Sequence, residues 1–323
     1  MRNQLWIVGL IGVASLAGVL CAQAPSNGNN LPQDREARGQ IITTVVDVPL
    51  MVSVADNKGK LITNLTKTDF KVFEDDKPQT IKSFTRDTDL PLSIALLIDA
   101  SGSVIEQLKF ERAAATDFFF NTVKRKKDRA AVIAFDSVIS ILSNQTPDGF
   151  YDDPERLADA VKKIKAGGGT AVYDAVYGSV LKMLSKETGE RRKLVILISD
   201  GDDTASKLSQ TESIEMAQRH DVTIYAISTN RTQDTRSREK TQGDAVIQKM
   251  VDETGGKAYF PLKLDDLAAD FQKIGEELRS QYVIAYTPTN ASLDGTYREV
   301  RIEMADKKYK ARTRRGYFAS KAN

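Results

Sequence analysis

Leu92-Ser93-Ile94-Ala95-Leu96-Leu97-Ile98-Asp99-Ala100-Ser101-Gly102-Ser103 is an apolar run that stops abruptly at one carboxylate and two hydroxyl side chains. A Leu/Ile run bounded by polar, Gly-containing sequence predicts a strand buried on both faces, as in a parallel sheet. The polar loop at its carboxyl end then lies where open α/β sheets hold their ligands. Asp99, Ser101 and Ser103 offer hard oxygen donors on alternate residues and no soft ones, which suits Mg²⁺ or Mn²⁺. Asp-x-Ser-x-Ser is weak on its own, and its weight comes from two later loops that supply matching oxygens.

One of these is Gly167-Gly168-Gly169-Thr170; the other, Ser199-Asp200-Gly201, closes a second apolar run. In a doubly wound sheet of order 3-2-1-4-5-6, strands 1 and 4 are neighbours and the switch point falls between them. With residues 92–98 as strand 1 and residues 193–199 as strand 4, Asp99 and Asp200 flank that crevice. Thr170 follows three glycines, which allow a close backbone approach, and precedes a helix beginning near Tyr173.

These residues resemble the von Willebrand factor type A (VWA) domain and its metal-ion-dependent adhesion site (MIDAS). The motif is Asp-x-Ser-x-Ser, then a Thr, then an Asp, and it falls on Asp99, Ser101, Ser103, Thr170 and Asp200 without departure. The resemblance implies that Ser101 and Ser103 ligate Mg²⁺ directly, while Thr170 and Asp200 exchange direct and water-mediated roles as the site opens. A narrower resemblance covers almost the whole chain after its first residues. Asp69-Phe70-Lys71-Val72-Phe73-Glu74-Asp75, Gly169-Thr170-Ala171-Val172-Tyr173-Asp174-Ala175 and Ser199-Asp200-Gly201-Asp202-Asp203-Thr204 are similar to the bacterial VWFA-related family described from Acidobacteria. Thr254-Gly255-Gly256-Lys257-Ala258-Tyr259-Phe260, Leu278-Arg279-Ser280-Gln281-Tyr282 and Arg315-Gly316-Tyr317 extend the match.

Residues 91–280 alternate strand and helix. Ile105, Leu108, Ala115, Phe118 and Phe119 form the apolar stripe of a first helix. Strands follow at 130–135 and 138–142, the second antiparallel at an edge because the turn at Asp136-Ser137 is tight. Helices are predicted at 154–164, 173–186, near 209–219 and near 244–254, with strands at 193–199, 222–228 and 257–260. Leu264, Leu267, Ala268, Phe271, Ile274 and Leu278 mark a closing amphipathic helix. This rhythm requires a mainly parallel sheet covered by helices on both faces.

The flanks read as β. Short runs at 41–54, 70–73 and 81–84 are separated by turns at Asn57-Lys58-Gly59-Lys60 and Asp75-Asp76-Lys77-Pro78. Further runs lie at 282–286, 297–304 and 309–314. Neither flank alone makes a convincing core, and domain termini often lie close together, so the two are expected to pack as one small sandwich. The expected class is thus α/β: a doubly wound, mostly parallel Rossmann-like sheet with a small β-sandwich formed by the N- and C-terminal flanks. Its division is signal peptide 1–24, flexible leader 25–40, N-terminal β unit 41–90, VWA domain 91–280 and C-terminal β unit 281–318.

The signal reading rests on Arg2, the apolar stretch Leu5–Leu20 and the small-residue exit Ala22-Gln23-Ala24. The rival, a membrane anchor, has a stretch near the short end for a span and lacks a basic stop-transfer flank. Leu20 is too bulky for a good lipobox before Cys21, which argues against lipidation. Cleavage removes the one cysteine and with it any disulfide framework. It also removes Arg2 from the 46 basic residues, leaving 45 against 44 acidic and a net charge of +1. Such a balance gives no reason to expect nucleic acid. Membrane contact after signal removal is likewise not indicated, and the expected location is periplasmic or secreted.

Other polar residues have plainer readings. Asp202 and Asp203 are read as loop charges or indirect acceptors, Asp174 as a helix cap, and His220, the one histidine, as helix-terminal. Lys307, Lys308, Lys310, Arg312, Arg314 and Arg315 are read as a solvated face. Gly167-Gly168-Gly169-Thr170 lacks the Lys of a phosphate-binding loop, and nothing places His220 beside Ser101 for a hydrolytic triad. The expectation is an exported, metal-dependent, non-enzymatic module. By the resemblance, its ion takes an Asp or Glu side chain of a partner protein, in adhesion or complex assembly. A metal-assisted hydrolase using Asp202 or Asp203, and an envelope scaffold with a purely structural ion, are the alternatives.

Overall fold

The apolar run Leu92–Asp99 forms a strand in which all eight residues are buried. The computed structural model describes residues 47–86, 89–230 and 242–320; the expected signal peptide, leader and residues 41–46 of the first β run lie outside these. The N-terminal flank carries β1 (Val48–Asp56), β2 (Phe70–Glu74), β3 (Lys77–Gln79) and β4 (Ile81–Thr85). Next come β5 (Leu92–Asp99), α1 (Leu108–Thr122), β6 (Arg129–Phe135), β7 (Ile139–Ile141), α2 (Pro154–Lys162) and α3 (Val172–Lys182). They are followed by β8 (Arg192–Ser199), α4 (Gln210–Arg219), β9 (Val222–Ser228), α5 (Gln242–Thr254), β10 (Ala258–Tyr259) and α6 (Leu267–Leu278). The C-terminal flank holds β11 (Tyr282–Tyr286), β12 (Tyr297–Met304), β13 (Tyr309–Arg312) and β14 (Gly316–Phe318).

The central sheet has the order β10-β9-β8-β5-β6-β7, which is the expected doubly wound order. All its pairs are parallel except β6 with β7. Period-two alternation sorts the strand residues between two helical layers. Leu92, Ile94, Leu96 and Ile98 pack with α1, α2 and α6 through Phe118, Phe119, Leu157 and Phe271. Ala95 and Leu97 pack on the other face with α3, α4 and α5, through Val176, Ala217 and Met250. Helix starts follow from local chemistry. The Asp153 carboxylate accepts the Glu155 N–H at 2.9 Å with Pro154 in the first helical position of α2, and Ser209 and Glu212 form a capping box on α4. Ile105 departs from its expected place on the α1 stripe: it precedes the helix and is 60 % exposed.

The flanks pack together as expected. They form two four-stranded sheets, β13-β1-β11-β4 and β14-β12-β2-β3, each mixing strands from both ends of the described chain. Leu50, Val52, Val54, Phe70, Val72, Tyr282, Ile284 and Val300 fill the core between them. Buried Glu74 accepts the hydroxyls of Tyr286 at 2.7 Å and Tyr317 at 2.8 Å and lies 3.5 Å from the Arg298 guanidinium. Two strands of these sheets went unread in the sequence. Asp75 and Asp76 alone make the turn, both at positive φ, which frees Lys77–Gln79 to pair with β2. Gly316–Phe318 adds to the edge of β12. The basic run is not wholly solvated: Arg312 turns inward to Glu277, and Arg314, with its side chain 11 % exposed, pairs with Asp221. Among the described residues no helix is long and apolar enough to cross a membrane.

Candidate metal centre

Asp99 ends β5 and Ser199 ends β8, its neighbour in the sheet. The Asp99 carboxylate is fully buried. Its Oδ1 accepts the Ser101 N–H at 2.9 Å and its Oδ2 accepts the Ser199 hydroxyl at 2.7 Å. Ser101 Oγ lies 2.9 Å from Ser103 Oγ, and Ser103 Oγ donates to Asp200 Oδ2 at 3.2 Å. Four of the five motif residues are therefore joined in one chain of hydrogen bonds across the sheet edge. The fifth, Thr170, is buried in the adjoining loop. That loop is seated against the first by Gly102 N–H on the Gly168 carbonyl at 3.2 Å and Gly167 N–H on the Ala100 carbonyl at 2.7 Å. Gly168 allows this approach with φ +83, where a side chain would meet Asp136.

The backbone of Thr170 is tied to the third loop, its carbonyl accepting the N–H groups of Thr204 and Ala205 and its own N–H donating to Thr204 Oγ1 at 2.9 Å. Asp200 is held from behind: Asn230 Nδ2 donates to its carbonyl at 2.6 Å, and Asp202 N–H donates to its Oδ1 at 3.1 Å. Three loops thus converge on one edge, each fixed to another.

Burial raises the Asp99 carboxyl pKa above its ordinary value, against the pull of the Ser101 and Ser199 hydrogen bonds. Burial also raises that of Asp200. Glu111, on α1, was not singled out in the sequence. It is fully buried, neither carboxylate oxygen has a hydrogen-bond partner, and its pKa is pushed up to about 8, first by burial and then by the charges of Asp99 and Asp200. Its signal was present, because Glu111 falls at helical spacing between Leu108 and Ala115 on the apolar stripe. Three desolvated carboxylates that repel one another make a negative site that a cation would relieve.

The donor set is all oxygen, a set for hard cations. Among the described residues no three or more His, Cys, Asp or Glu side chains gather as a metal site, so an ion here has to use hydroxyls. Two neighbouring acids are otherwise engaged, while Asp202 is exposed. Asp203 Oδ2 accepts the Tyr173 N–H at 3.2 Å and the Ser206 hydroxyl at 2.6 Å. Asp174 does not cap its own helix but accepts the N–H groups of Lys207 and Leu208. His220 is the C-terminal cap of α4. It precedes β9 at the amino-terminal edge of the sheet, a strand's length of about 20 Å from Asp99.

A family model for the von Willebrand factor type A domain matches residues 93–275. The chain belongs to that family. Solved structures with similar folds include proximal thread matrix protein 1 from the mussel byssus, with a zinc-occupied MIDAS motif: 16 % identity over 64 % of this chain and 49 % of that one, TM-score 0.49. The chain spans about half the length of the mussel protein. A von Willebrand factor type A protein from Catenulispora acidiphila is 12 % identical over 78 % of this chain and 72 % of its own, TM-score 0.47. An aerotolerance-related membrane protein from Bacteroides fragilis is 13 % identical over 58 % and 98 %, TM-score 0.46. No curated protein sequence matches the chain.

Proposed function

We propose that the chain is an exported, metal-dependent protein-binding module, within the narrower bacterial VWFA-related family described from Acidobacteria. Export rests on the leading segment, read as signal peptide 1–24 and leader 25–40. The observation that carries the binding function is the Asp99–Ser101–Ser103–Asp200 chain of oxygens at the switch point, beside the loop of Thr170. Ser101 and Ser103 would hold Mg²⁺, or Mn²⁺, directly, with Asp99, Thr170 and Asp200 completing the sphere directly or through water. An ion with few direct carboxylate ligands keeps most of its charge, and an Asp or Glu side chain of a partner protein neutralises it while completing the octahedron. The outcome is adhesion or complex assembly, not turnover. The engaged Asp203 carboxylate and the remote His220 support that choice, leaving the exposed Asp202 as the base a hydrolase would have to use beside the ion.

Asp99→Ala should abolish Mg²⁺ and Mn²⁺ uptake in calorimetric titration while leaving the far-UV circular dichroism spectrum intact, because the site caps a sheet rather than filling its core. Unchanged metal affinity would sink the assignment. Partner capture from envelope extract should need Mg²⁺, fail in EDTA and fall in Thr170→Ala by more than metal uptake does. Capture that survives EDTA would leave the ion a structural role.

A further inference from the structure

A cavity of about 530 Å³ lies at the end of the central sheet opposite Asp99 and Asp200, where the sheet meets the sandwich. Small-molecule sites have this size and favour such junctions. Met51 of β1, Val283 of β11, Leu194 of β8 and Val222 of β9 give it apolar walls, joined by Pro49 and Leu90. Its polar groups are left over in an unusual way. The Lys193 ammonium makes neither hydrogen bond nor ion pair among the described residues, and burial lowers its pKa more than the distant charges of Asp221 and Glu187 restore it. Thr313 Oγ1 and Arg314 Nε, from two further lining residues, are buried without a partner. The rest of the Arg314 fork is occupied, by Asp221 and by the Pro49 carbonyl at 3.0 Å.

Leaving such donors desolvated and unmatched is costly, and an anion would relieve all three. Of the lining cations, Arg314 is paired with Asp221, and Arg191 and Arg192 donate to the Lys127 and Leu278 carbonyls. Among the described residues the Lys193 ammonium is thus the lining cation left open to a ligand, and a single negative charge answers it. Glu190 and Asp221, which also line the cavity, disfavour a dianion. We propose that this cavity binds a monocarboxylate with an aliphatic body. The head group sits between the Lys193 ammonium, the Thr313 hydroxyl and the Arg314 Nε–H, and the chain lies against Met51, Val222 and Val283.

Octanoate, octanol and acetate separate head from tail, and each is titrated into the full chain by calorimetry and by NMR of the methionine methyl groups. Octanoate should bind at least about tenfold more tightly than either of the other two and should shift the Met51 methyl resonance. Lys193→Met should weaken octanoate by about tenfold or more and leave octanol unchanged, and Met51→Trp should block both by filling the space. Asp99→Ala should leave octanoate binding as it is. Octanoate no tighter than octanol, equal affinity in Lys193→Met, or a Met51 methyl that does not move as octanoate binds would each overturn the proposal. The octanol comparison and the methyl shift use the native chain, so they decide the matter even if a variant fails to fold.

Discussion

Glu111 shows how one residue couples the metal centre to stability. Without a cation its carboxyl titrates near pH 8 in the folded chain, against 4.5 for an ordinary glutamate. The unfolded chain therefore loses this proton first as pH rises. Stability from the protonated group is complete below about pH 4.5 and declines until about pH 8, by a few kcal/mol at most. Burial of Asp99 works in the same direction. Glu111→Gln keeps the shape and removes the charge, so in EDTA it should flatten most of this slope. Urea melts of both proteins between about pH 5 and pH 9 measure it, and parallel curves would contradict the account. The five motif residues were legible one by one because each stands at the end of an apolar run or a glycine triplet. Glu111 was not, because a helix charge is ordinarily solvated and only the packed α1–sheet layer shows otherwise.

At the scale of elements, the loop after β8 is held in place by α5. Gly201 adopts φ +80, and a Cβ there would lie 2.3 Å from the Gly243 carbonyl oxygen. Gly201→Ala must therefore strain the loop or push the start of α5 away, at a cost of about 1–3 kcal/mol. Either response displaces Asp200, one residue earlier. The expected outcome is a lower melting temperature together with Mg²⁺ affinity reduced by about tenfold, read by calorimetry. A stability loss with unchanged affinity would show that Asp200 is positioned independently. Helix and strand types followed from periodicity, while the short strands β3 and β14 did not. Three residues contain too little alternation to be read, and their existence depends on β2 and β12 offering open edges.

At the scale of the molecule, the sandwich and the central sheet are joined by a buried polar cluster that no local pattern announces. Glu277, near the end of α6, accepts the Ser53 hydroxyl of β1 and the Tyr225 hydroxyl of β9, both at 2.8 Å, and pairs with Arg312 of β13. Gln281 Nε2 adds bonds to Ser53 and Tyr225 at 3.1 and 3.0 Å. Sandwich and central sheet should consequently unfold in one calorimetric transition. Glu277→Ala, which takes the carboxylate from the half-buried Arg312 and from the Ser53 and Tyr225 hydroxyls, should cost about 1–3 kcal/mol and split that transition in two. A native chain that already melts in two steps would refute the coupling. By itself, the sequence determined the strand and helix types of the α/β region, the sheet order through its βαβ rhythm and the loops that carry oxygens, because all of these follow from short-range periodicity and chain reversal. Only the tertiary structure decided that β1 pairs with both β11 and β13, that Glu111, Glu277 and Arg312 face inward, and that a cavity with an unmatched lysine lies between the halves. Strand pairing across hundreds of residues and the burial of a charge depend on neighbours supplied by distant chain, and neither leaves a mark in the local order of residues.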